Sequence, residues 1–142
     1  MINQSLGNGN ITERADETDL KLQDLRISKD KLENMVEKSE LGSEVIRAYR
    51  DLLNGELENS LEIFDRVIEK DKNKPEVWYG KGLISLLLGD LDAAIQFFEK
   101  SITLKPDFKD ALYEKGVALH EKGRTKEAME YWQRARKEER DF

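Results

Sequence analysis

Few residues in this chain have side chains suited to chemistry, and their spacing does not gather them into a working set. His120 is the single histidine, and the nearby acids that could share a proton or a metal with it are Glu114 and Glu121. A metal site of ordinary nitrogen and sulfur donors needs several such ligands, and the chain offers no second histidine and no cysteine. The simpler reading of the three residues is the charged surface of a helix. The lack of cysteine also removes disulfides, thiolate nucleophiles and redox chemistry on the chain. Gly7-Asn8-Gly9 is the nearest approach to a glycine-rich phosphate loop, but it lies in a polar leading stretch with no strand before it. No catalytic residue, metal ligand or cofactor site is therefore assigned, and the chain is expected not to be an enzyme.

The elements around these residues follow from composition. The 142 residues suit one ordinary domain; 38% are hydrophobic and 38% charged, with two prolines and nine glycines. That balance favours an all-α protein with a densely charged exterior. The net charge of -6 comes from 24 basic and 30 acidic residues that are interleaved, so no basic field exists to gather phosphate backbones, and no nucleic acid is expected as partner. Even residues 121–142 carry seven Lys or Arg against six Glu or Asp. No run approaches the roughly 18 apolar residues of a membrane span, and the first residues lack the basic and apolar blocks of a signal peptide. No membrane insertion and a cytoplasmic location are the expectation, and the sequons at Asn3 and Asn10 are given no weight.

A period of 34 residues organises the rest. Laid in register, 41–74, 75–108 and 109–142 align Ala48 with Gly82 and Gly116, and Gly55 with Gly89 and Gly123. Further along, Ser60, Ala94 and Ala128 coincide, then Phe64, Phe98 and Trp132, then Val67, Ser101 and Ala135. This order predicts a helical hairpin. A first helix closes at the shared glycine, which tolerates the left-handed backbone, and small residues let the second helix approach closely. The aromatic ring one turn later is expected to fill the wedge toward the next hairpin, while Pro75 and Pro106 mark the connections.

At these residues the chain resembles the tetratricopeptide repeat family. The middle copy carries Trp78, Gly82, Ala94, Phe98 and Pro106 at the family's spacing, and the third carries Gly116, Ala128, Trp132 and Ala135. The first keeps Ala48, Ser60 and Phe64, with Glu44 where the tryptophan would stand and Lys72 in place of the proline. The resemblance covers 41–142 and implies a right-handed α-α superhelix, a solenoid of three helical hairpins with a concave face lined by first helices. Ahead of it, 1–12 reads as a disordered tail and 13–40 as an N-terminal amphipathic helical segment, with Leu22, Leu25, Leu32 and Val36 as its stripe. That segment would cap the first repeat or occupy the groove.

The resemblance also places a peptide-binding groove on Val45, Tyr49, Leu52, Tyr79, Leu83, Leu87, Tyr113, Val117 and His120. The plain alternative is that such residues are core between neighbouring helices. A carboxylate clamp of the kind some family members use is missing, since the corresponding sites hold Val45, Tyr49, Gly80, Asp110 and Glu114. The function implied is a protein–protein interaction module, or adaptor, binding an apolar or amphipathic peptide or helix from an unidentified protein. The alternative is self-association into a homo-oligomer through the N-terminal helix or the uncapped C-terminal end, where Met129, Trp132 and Phe142 lie.

Overall fold

The computed structural model describes residues 42–140 and, by itself, Glu33. The expected tail 1–12 lies outside the described residues, as does the 13–40 segment apart from Glu33, which is helical and exposed. All regular structure among the described residues is helical: α1 (Ser43–Leu53), α2 (Leu57–Lys70), α3 (Pro75–Leu87), α4 (Leu91–Leu104), α5 (Lys109–Glu121) and α6 (Thr125–Arg140).

The three hairpin turns are copies of one another. Gly55, Gly89 and Gly123 adopt φ of 78°, 81° and 85°, a left-handed backbone open to glycine at little cost. Immediately after each glycine an amide reaches back to the closing helix: Glu56 to the Asp51 carbonyl at 2.7 Å, Asp90 to Ser85 at 2.9 Å and Arg124 to Leu119 at 2.8 Å. These bonds satisfy carbonyls that a helix end would otherwise leave open, and they reverse the chain into the second helix. Asp90 then caps α4, its carboxylate accepting from the Ala93 amide at 3.2 Å.

The described residues fall into two compact units, the first ending at Ile63 and the second beginning at Phe64. In the first, α1 buries Val45, Ala48, Tyr49, Leu52 and Leu53. Ser60 on α2 is buried as well, and its hydroxyl donates to the Ala48 carbonyl at 2.7 Å. A small hydroxyl residue at this contact therefore both permits close approach and ties the two helices together.

In the second unit, glycines receive aromatic rings. A Cβ on Gly82 would come within 2.5 Å of the Phe98 ring, and one on Gly116 would collide with the Trp132 indole. Both rings thus lie on the small residue of their own hairpin. Phe64 reaches the hairpin that follows it, its ring lying against Gly80. That contact explains a glycine inside a helix, where it costs about 1 kcal/mol relative to alanine. Helix α3 is held between Phe64 and Phe98, and from Val77 to Leu87 it is buried nearly all round, as its apolar sequence requires. Pro75 opens α3 at its first turn, where a missing amide proton costs nothing, and its carbonyl accepts from the Ser101 hydroxyl at 2.8 Å.

Successive hairpins in this unit are joined by a repeated charged contact. Lys81 on α3 pairs with Asp65 on α2 at 2.7 Å and lies 4.6 Å from the centre of the Phe97 ring on α4. One repeat later, Lys115 on α5 pairs with Glu99 on α4, lies 4.3 Å from the Tyr131 ring centre on α6, and donates to the Tyr131 hydroxyl at 2.8 Å. Each lysine buries its stem while its ammonium bridges an acid of the preceding hairpin and an aromatic of its own. Lys122 adds a second pair to α4 through Asp92.

Candidate functional site

The nine residues expected in a groove divide by burial. Val45, Tyr49, Leu52, Tyr79, Leu83 and Leu87 are all buried, none more than 3% exposed. Tyr113 and Val117 are half-buried and His120 is exposed. The first six are thus buried in this conformation. Tyr79 shows how that comes about inside the second unit, with its ring centre 5.0 Å from Phe108 and 5.9 Å from Phe98. Phe108 leads directly into α5, so the hairpin that follows covers the tyrosine.

Tyr113, Val117 and His120 occupy the same register one repeat later as Tyr79, Leu83 and Leu86, all of which are buried. Their exposure comes from their place on the last described hairpin, where no further helix among the described residues covers them. Trp132 joins them, half-buried where its counterpart Phe98 is fully buried. Its ring centre lies 6.3 Å from Tyr113 and 5.7 Å from His120, and its indole N–H donates to the Tyr113 carbonyl at 3.2 Å. Gly116 lets the indole settle onto the α5 backbone. Met129, one turn before Trp132 on α6, is 52% exposed and extends the apolar surface. Sequence reasoning placed Trp132 and Met129 near an uncapped end but outside the groove set. The signal that joins them to Tyr113 was present, in Gly116 directly opposite the ring.

His120 faces Trp132 and lies 3.3 Å from the Thr125 hydroxyl. Glu114 is buried in α5 while His120 is exposed, so Glu114 does not belong to the charged helix surface expected from the sequence. Among the described residues, no group of three or more histidines, cysteines or acids could hold a metal ion. No helix among them is long and apolar enough to cross a membrane. Charge at the hairpin turn is balanced locally, for Arg124 donates to both Glu127 carboxylate oxygens at 2.9 Å and 2.7 Å. That hydrogen bond holds the Glu127 carboxyl below its ordinary range and raises Arg124 further.

Helical hairpins of fixed period, closed by left-handed glycines and packed through small-residue and aromatic contacts, define an all-α repeat protein. Two tetratricopeptide repeat family models match the chain, one over residues 75–108 and the other over 99–141. Together the two matches span residues 75–141 and are consistent with tetratricopeptide repeats there. Among solved structures it is similar to a crystal structure of MamA, with a TM-score of 0.65 and 23% identity over 97% of this chain and 84% of that one. A second crystal structure of MamA protein matches with a TM-score of 0.63 and 22% identity, over 96% of this chain and 76% of the other. At that identity the likeness establishes the fold, an all-α repeat superhelix. No curated protein sequence matches closely enough to add to it.

Proposed function

We propose that this chain is a protein–protein interaction module that binds an apolar or amphipathic helix on the surface formed by Tyr113, Val117, His120 and Trp132. The observation that carries the reading is the contrast between two copies of one surface. Tyr79, Leu83, Leu86 and Phe98 are buried, with Tyr79 packed on Phe108 at the start of the next hairpin, whereas their counterparts on α5 and α6 are half-buried or exposed. A surface whose near-copy is satisfied by a packed helix has the shape and the apolar area to accept another. Rigid aromatic side chains suit such a role, because they offer large contact area with little side-chain entropy to lose. Tetratricopeptide repeats support a partner-binding role in general.

The test is a pull-down from native extract with the parent chain beside Val117→Lys and Met129→Lys variants. Both positions are accessible, so the fold is expected to survive, as circular dichroism would check. Loss of the same retained protein from both variants is the expected result. Retention of every partner by both would end the proposal.

A further inference from the structure

The surface just described has a charge pattern that differs from its buried copy, and the difference specifies what fits it. At the α4–α5 seam, two acids of α4 meet two lysines of α5: Asp92 pairs with Lys122 and Glu99 with Lys115. One period later, the residues of α6 in the registers of Asp92 and Glu99 are Lys126 and Gln133, both exposed. Ile102, buried at the same seam, is replaced by the exposed Arg136. The edge of α6 thus reads Lys126, Met129, Gln133 and Arg136, where α4 reads Asp92, Ile95, Glu99 and Ile102. A helix with the lysines of α5 would be repelled there.

We infer that the occupant of this surface is an acidic amphipathic helix of a partner protein, packing as α5 packs on α4 but with its charges reversed. The seam supplies the template: an aromatic like Phe108 leading in, buried small and apolar residues like Ala111 and Leu112, a neutral residue in place of Lys115 and an acid in place of Lys122. A second copy stacked head to tail does not meet this description. The corresponding edge of α1 carries Ser43, Glu44 and Arg47, which are exposed or half-buried and give no apolar contact to Trp132 and Met129. This identification rests on the interaction surface proposed above, and the test separates the two.

Two helix-stapled, fluorescently labelled peptides with the sequence of residues 107–124 are titrated against the full chain by fluorescence polarisation. One keeps both lysines, and the other carries Lys115→Gln and Lys122→Glu. The charge-reversed peptide is expected to bind about three- to tenfold more tightly at low salt, the size of one or two exposed charge contacts. Lys126→Glu in the protein should erase or invert that preference, and Met129→Lys should weaken both peptides. Equal binding of both, still weakened by Met129→Lys, would overturn the acidic partner and leave the surface standing. Binding of neither, or binding indifferent to Met129→Lys, would overturn the surface and the inference together. Sedimentation of the chain alone completes the experiment: concentration-dependent association abolished by Met129→Lys would make a second copy the occupant and refute the inference.

Discussion

Replacing Gly82 with alanine tests the packing on which the hairpin reading rests. The added Cβ would stand 2.5 Å from Phe98 Cε1, 2.6 Å from Cδ1 and 3.0 Å from Cζ. Ordinary carbon contacts lie near 3.5 to 4.0 Å, so the ring must move by about 1 Å. Phe98 has no exposed surface, so the ring has nowhere open to go. Forcing a methyl into a filled interior costs typically about 1 to 3 kcal/mol, and the tightness here points to the upper half of that range. Alanine also improves the helix by about 1 kcal/mol, which leaves a net destabilisation of about 1 to 2 kcal/mol. For a repeat region of this size that lowers Tm by about 5 to 10 °C. The assay is thermal and urea unfolding of the parent, Gly82→Ala, Phe98→Leu and the double variant. In the double variant the smaller side chain makes room for the methyl, so its loss should fall short of the sum by at least about 0.5 kcal/mol. A Gly82→Ala protein as stable as the parent, or additive single and double variants, would show that the helices are not in the contact described.

Other expectations follow from the same structure. Tyr79→Ala and Leu87→Ala should act on stability, each costing about 2 to 5 kcal/mol in urea unfolding because both side chains are buried; binding lost while stability stays at the parent's level would contradict their place in the core. Lys115→Glu would set a second acid against Glu99 and remove the donor to the Tyr131 hydroxyl, so it should unfold at lower temperature than Lys115→Met; the reverse order would refute the bridge. Because the Glu127 carboxyl is held low in the folded chain by Arg124, the stability it contributes is present above the ordinary carboxylate range and lost as pH falls through its depressed folded value. A carboxyl-detected NMR titration should find Glu127 below the usual range in the parent and moved upward in Arg124→Gln, and an unchanged value would remove the contact. An acidic C-terminal pentapeptide should show no micromolar binding in a fluorescence titration, since Val45, Tyr49, Gly80, Asp110 and Glu114 supply no cationic clamp.

The sequence by itself determined the hairpins. Glycine is the residue that most readily holds a left-handed backbone, so Gly55, Gly89 and Gly123 at equal spacing fixed where each first helix stops. Small residues facing small residues or rings fixed how closely the paired helices approach. The acid–lysine–aromatic series of Asp65, Lys81 and Phe97, repeated as Glu99, Lys115 and Tyr131, was equally present in the sequence. Its members belong to different hairpins, so aligning the repeats one on another does not place them side by side. What only the tertiary structure decided was which apolar residues stay accessible. Tyr79 and Tyr113 hold the same register and the same side chain, yet one is sealed beneath the next hairpin and the other is half open. Register reports the face of a helix on which a residue lies; exposure depends on whether another helix packs over that face, which is a property of the assembled stack.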